Sequence, residues 1–148
     1  MRSTLVILFG TVLVAASCSH EFEPPDRAER VREAAVAYDA SVFDTVTWAS
    51  EDSRVTEGNS VYAAECRRCH GTLGAGGTDY ARERRLEVPS LVEPEWKFAQ
   101  IDTLRRLVSI GHEFGMPVYS DGDLTPREVD GVVAYVLFVL RPDVLGPN

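Results

Sequence analysis

Apolar residues recur at helical spacing most clearly near the C-terminus. Val129, Val132, Val133, Val136 and Leu137 form one stripe, flanked by Tyr135 and Phe138. Just upstream, "TPRE" offers Thr125 as N-cap, Pro126 at the first helical position and Glu128 three residues after the cap. That is a capping box with the favoured proline. A helix is expected from there to about Leu140, with Arg141 in its last turn and Pro142 stopping it. A second stripe, Leu104, Leu107 and Val108, lies in "TLRRLVSI", with Asp102 as N-cap and Gly111 as terminator. "NSVYAAE" from Asn59 to Glu65 predicts a third helix that turns Val61 and Tyr62 inward. In "DRAERVREAAVAYDA", Ala28, Val31, Ala35 and Tyr38 share a face, and Asp26 can cap it. That face is narrow, which predicts a short helix on a tether, packed loosely or against a partner.

Between these segments the pattern lapses. "SVFDTVTWASEDS" is expected to be irregular, with Trp48 pinning it to the domain. "HGTLGAGGTD", "EVPSLVEPEW" and "GHEFGMPVYSDGD" carry the glycines and prolines of loops. No segment alternates as a strand would, so the fold class is all-α: several short helices with long loops. Loops this long are unusual in a small helical domain. They make sense when they wrap a group that supplies part of the core.

Leu5 to Ala16 is an apolar run behind Arg2, too short to span a bilayer comfortably but right for a signal peptide. Residues 1–17 are therefore expected to be a leader. "AASC" resembles a bacterial lipobox, which makes Cys18 the lipidated first residue of the mature chain. Ala15 stands where that motif usually has Leu; ordinary cleavage near Ser17 and an uncleaved anchor are the alternatives. All three place the folded part outside the cytoplasm, in the periplasm or on the outer face of the cell membrane. The formal charge of −8 is uneven. Residues 18–57 hold 4 basic and 10 acidic side chains, whereas residues 58–148 hold 10 and 13. The chain thus divides into an acidic tether at 18–57 and a nearly balanced domain at 58–148. Nothing suggests a nucleic-acid surface, which needs clustered basic charge. An acidic protein can be steered to a basic face on its partner.

The chemistry is concentrated in "AECRRCHG". A disulfide between Cys66 and Cys69 would close a very small loop and gain little. A redox dithiol would sit in a βαβ setting, and none is predicted. Zinc needs four ligands; consecutive Cys69 and His70 converge poorly on one ion. Covalent haem fits best. Two thiols separated by one helical turn reach the two vinyl groups of one porphyrin, and the next residue, His70, faces the iron. Cys-x-x-Cys-His is the haem attachment signature. An export signal agrees with it, because such attachment is completed outside the cytoplasm.

Over residues 56–141 or so the chain resembles the class I monohaem cytochromes c. Gly58 and Tyr62 precede "CRRCHG" where that family has a glycine and an aromatic on its first helix. "VPSL" matches the segment whose proline carbonyl accepts a hydrogen bond from the haem-ligating histidine, which assigns that part to Pro89. "IGHEFGMPVY" resembles the methionine-ligand loop, and "LTPREVDGVVAYV" the C-terminal helix, with Tyr135 at the aromatic position that packs on the first helix. The acidic arm has no counterpart in the resemblance. The resemblance implies one haem c, held through Cys66 and Cys69, with iron between His70 and Met116. The chain has two methionines, and Met1 leaves with the leader, so Met116 is the thioether of the mature protein. His112 is the rival ligand. Arg82, Arg84, Arg85, Trp96, Lys97 and Tyr119 are candidate propionate partners. Leu73, Leu91, Phe98, Leu104, Leu107 and Val118 are candidates to line the ring.

His/Met-ligated haem iron is an electron-transfer arrangement. The expected function is therefore a non-enzymatic electron carrier, tethered by lipid at Cys18, which serves a membrane donor and a terminal acceptor. A fixed cytochrome subunit of a larger respiratory or dehydrogenase complex is the alternative. A haem peroxidase or gas sensor would need an open iron site.

Overall fold

The computed structural model describes residues 26–120 and 122–146. The leader at 1–17, the lipidation position Cys18, His20 and the Pro24-Pro25 pair lie outside the described residues. Seven α-helical segments are present among those described: α1 Arg27–Ala37, α2 Glu51–Val61, α3 Arg67–His70, α4 Asp79–Glu83, α5 Ile101–Ile110, α6 Pro126–Tyr135 and α7 Arg141–Leu145. A 3-10 turn spans Ala40–Phe43. There is no strand among the described residues, in keeping with the all-α expectation.

The core forms where α2 and α6 cross. Gly58 makes the crossing close, because a Cβ there would collide with the carbonyl of Gly131 and lie 3.0 Å from Tyr135 Cβ. One turn further on, Tyr62 and Tyr135 meet with ring centroids 5.4 Å apart at 49°. Val61, Val129, Val132, Val136 and Leu140 fill the rest of this core, with Phe43 and Tyr119.

Several helix ends follow the sequence closely. Asp26 caps α1 by accepting the Glu29 N–H at 2.7 Å. The Thr125 and Glu128 side chains complete the capping box of α6, with Pro126 at its start. Elsewhere the structure differs. Gln100, not Asp102, occupies the N-cap position of α5; Asp102 lies in the first turn and pairs with Arg105 at 2.8 Å. The helix expected at 59–65 begins at Glu51, because Ser50 and Ser53 form a capping box there. A helix therefore runs through the 57/58 boundary between tether and domain. Thr78 starts the short α4, which the glycine-rich stretch concealed, by accepting the Ala81 N–H. Pro142 does not end the C-terminal helix. A wide π turn at Val136–Leu140 lets the Arg141 N–H reach Val136 O, and Pro142 enters a new helical segment at its start. Its missing N–H has no cost there.

The arm at 26–50 is packed on the domain rather than loose. Phe43 is 7% exposed within the main core. The carboxylate of Asp130, 1% exposed on α6, accepts from Trp48 Nε1 at 2.7 Å and Arg54 Nη2 at 2.8 Å. It also accepts from Arg105, through Nε at 3.0 Å and through Nη2. Arg105 lies over the Phe43 ring at 5.0 Å. Arg127 lies over Trp48 at 3.6 Å and donates to Thr47 O at 2.6 Å. One buried acid thus joins the arm, α2, α5 and α6.

Burial pushes the Asp130 carboxyl up, but the hydrogen bonds from Arg105, Arg54 and Trp48 outweigh it and the net shift is down from 3.8. A carboxyl depressed in the folded state contributes stability above its unfolded value and loses it as pH falls through the folded value. We expect Asp130→Ala to cost about 3 kcal/mol, because two arginines lose their buried partner. Denaturant unfolding of the haem-loaded protein at pH 7 measures that cost. The difference between variant and wild type should shrink as pH falls below 3.8, where the unfolded carboxyl takes up a proton first, and vanish once pH has passed the lower native value.

Candidate functional site

The two cysteines sit on one irregular helical run. Where α2 ends, a π turn spans Tyr62–Cys66, and the Arg67 N–H bonds Tyr62 O, five residues back. An extra residue in one turn rotates every later side chain by about 100° relative to an unbroken helix. The rotation falls at Cys66, so it resets the direction of Cys69 and His70 on α3. Tyr62 locks the exit of α3 by donating its hydroxyl to Gly71 O at 2.7 Å.

The loop after α3 folds back on that helix. Thr78 Oγ1 donates to Arg68 O at 2.8 Å and Gly76 N–H to His70 O at 2.9 Å. The Leu91 N–H in turn bonds Gly74 O at 2.7 Å. Gly76 has φ +72° and no room for a side chain, since a Cβ would lie 2.6 Å from Val88 O. These contacts bring the 88–91 segment under α3. There the Pro89 carbonyl interacts with the His70 imidazole. The residue is half-buried, and its buried Nδ1 has no well-aligned hydrogen bond in the polypeptide. Arg141 holds the far side of this segment by donating to Leu91 O and, at 3.0 Å, to Glu93 O.

Electrostatics set the protonation states. Burial first, then Glu65 and Cys69, push the Cys66 thiol up to about 12. A redox dithiol or metal thiolate needs the opposite shift. Burial lowers the His70 pKa, with the Pro89 carbonyl opposing it, so the imidazole is neutral at pH 7. A neutral imidazole is the form that ligates iron. Cys66 and Cys69 are free thiols. No group of three or more His, Cys, Asp or Glu side chains is placed to hold a metal ion among the described residues, which counts against zinc.

Met116 lies in the loop between α5 and α6. It packs on the same core cluster as Cys66, Leu91 and Trp96. His112, the rival ligand, is exposed; its Nδ1 accepts the Phe114 N–H at 3.3 Å and its ring stacks on Phe114 at 4.9 Å. Other candidates scatter. Leu91 and Leu104 are inside, Val118 packs toward α1, and Leu73 and Phe98 are 62% and 45% exposed. Arg82 is engaged by Asp79 and Gly77 O, and Arg84 lies over Tyr80 at 3.8 Å. Trp96 lies under Arg141 at 5.1 Å. Tyr119 reaches Glu65 O at 3.4 Å.

Residues 53–136 match the family model described as cytochrome c oxidase, cbb3-type, subunit III. The chain belongs to this cytochrome c family. No curated protein and no solved structure matches the chain. Membership brings covalent haem c with its iron, and haem-based electron transfer as the activity. The residues present fit that group: two free thiols one helical turn apart, and a neutral histidine with the Pro89 carbonyl beside its ring.

Sequence reasoning missed Asp130, Arg54, Arg105 and Arg141. An acid and a glycine amid the valines of "EVDGVV" were the available signal. We expect Cys66→Ala or Cys69→Ala to weaken or abolish stable haem incorporation. Haem staining after denaturing electrophoresis, with intact mass, measures it; wild-type holoprotein yield from either variant would contradict attachment at that position.

Proposed function

We propose that the protein is an extracytoplasmic electron carrier bearing one haem c, attached through Cys66 and Cys69, with His70 and Met116 as axial ligands and a lipid anchor at Cys18. The observation that carries this is the His70 site: a half-buried, neutral imidazole at the end of the Cys-x-x-Cys helix, against the Pro89 carbonyl. A proton on Nδ1 directed to that carbonyl fixes the tautomer and leaves the other ring nitrogen for metal. When bound, the haem iron supplies a one-electron centre whose potential a thioether ligand raises. The chain's part is to hold it rigidly and keep water out. Tyr62, Leu91 and Met116 belong to the apolar cluster that surrounds Cys66. A methionine on iron leaves no open site, so the carrier reading excludes a peroxidase or gas sensor.

A second reading, a fixed subunit of a respiratory complex, is favoured by two observations. The family model is described as an oxidase subunit. The arm also packs on the domain from α1 onward, so residues 19–26 alone separate Cys18 from the first helix. Eight residues span at most about 29 Å fully extended. A lipid on Cys18 would hold the domain close to the membrane, where its donor and acceptor must come to it. Co-purification of stoichiometric partners in mild detergent favours the subunit; a clean monomer favours the carrier.

The ferric holoprotein should show the weak long-wavelength absorption band of methionine sulfur on haem iron, and Met116→Ala should abolish it and lower the potential. A band or potential that survives the substitution removes Met116 from the iron. Separately, Cys18→Ser should move the protein from the membrane fraction to the soluble extracytoplasmic fraction. Continued membrane retention would rule out the lipid anchor.

A further inference from the structure

We propose that α1 is a positioning element for Met116, bracing from outside the loop that carries it. The inference rests on Met116 being an iron ligand. It goes beyond that reading because it gives the acidic arm a task in the redox site.

The loop is closed at its neck by backbone bonds. Tyr119 N–H and Ser120 N–H both reach Ser109 O, at 3.1 and 2.9 Å, and His112 N–H reaches Met116 O at 3.1 Å. Gly111 turns the chain at φ +68°, tight against the Met116 and Pro117 carbonyls. These bonds close the turn but place no apolar weight behind it. The main core supplies that weight from within, through Met116 and Tyr119, and α1 supplies it from outside. Ala34, 6% exposed, packs with Ile110, the last residue of α5, and Val118, two residues past Met116. Both stems of the loop therefore meet one side chain of the arm. The contact continues along the helix: Arg27 shares a cleft with Glu113–Gly115 at the loop's tip, and Ala37 shares another with Ser120. α1 thus runs beside the loop from tip to stem.

The brace is itself anchored. The chain leaving α1 buries Phe43 in the main core and delivers Trp48 to Asp130. A stripe too narrow to stabilise a free helix suffices when its far end is fixed this way. Small Ala34 matters, because a larger or charged side chain would separate Ile110 from Val118 or put an unpaired charge between them.

The test uses full-length holoprotein. Ferric protein is mixed with imidazole, which binds iron only after the sixth ligand has left, so the binding rate reports opening of the loop. The set is Ala34→Ser, Ala34→Asp, Val36→Ser on the 89%-exposed outer face of α1, and Val132→Ala in the α2–α6 core. Ala34→Asp should raise the imidazole rate about tenfold at a temperature where circular dichroism shows native helix, corresponding to about 1.4 kcal/mol. Ala34→Ser should raise it less, and it keeps the test available if Ala34→Asp does not fold. Val36→Ser should match wild type. Val132→Ala, in the core on which Met116 also packs, should lower the melting temperature more than the Ala34 variants do and raise the rate less. Wild-type rates in both Ala34 variants would overturn the brace. So would a rise in Val132→Ala equal to that in the Ala34 variants, since the loop would then be answering to general softness. A wild-type ferric spectrum lacking the methionine band would instead overturn the ligand reading on which the brace rests.

Discussion

A single buried carboxylate holds this molecule's elements in register. Asp130 is 1% exposed, sits in the middle of the C-terminal helix, and takes hydrogen bonds from three distant parts of the chain. Arg54 brings α2, which leads to the Cys-x-x-Cys-His run. Arg105 brings α5, which leads to the loop of Met116. Trp48 brings the arm. Burying an acid is costly unless its charge is matched and its lone pairs are used. Here two guanidiniums and an indole do both, and the arrangement exists only when all the segments are in place. It makes helix packings that do not bring Arg54, Arg105 and Trp48 together expensive, because each would strand a charge.

The consequence for the site is indirect but physical. The proposed iron ligands come from two segments on different helices, and neither is held mainly by its own local structure. The α3 run is short and follows a π turn; the methionine loop is glycine-rich and closed at its neck by a few backbone bonds. Each is placed by the helix it grows from. Gly58 lets α2 and α6 approach closely, Tyr62 and Tyr135 stack beyond it, and Tyr62 closes the exit of α3. The crossing and the attachment site are therefore one construction. Steric fit sets the distance between the helices, and the ion cluster sets their registry.

What could be read in advance was what is local. The capping box at Thr125 depends on residues three apart, and the thiol spacing depends on one turn of helix. Both were visible in the letters, as was the all-α class. Interactions spread over the chain were not. The partners of Asp130 lie 25, 76 and 82 positions away, and "EVDGVV" gives no hint of them. α4 was hidden because Thr78, its cap, ends a run of loop glycines. Pro142 reads as a stop because the rule assumes an ordinary α-helix before it, and the π turn that reopens the register arises from packing. The arm was legible only in part: Trp48 pins it to the domain as expected, but α1 packs where a loose tether was expected. Its stripe is narrow by the measure of a free helix, but Ala34 has only to fill the gap between Ile110 and Val118.

That correction changes what kind of electron carrier the arm implies. Forty flexible residues would let a domain sweep a wide volume and meet its partners by diffusion. With the lipid proposed at Cys18, eight residues before a packed helix would confine it within about 29 Å of its attachment. A carrier on so short a lead gains effective concentration for partners beside it and loses access to those further away. The same arm cannot be both a long lead and a brace. With Ala34 in its seam and Trp48 on Asp130, the arm is packed rather than free, so a lipid at Cys18 would restrict electron delivery to neighbours in the same membrane.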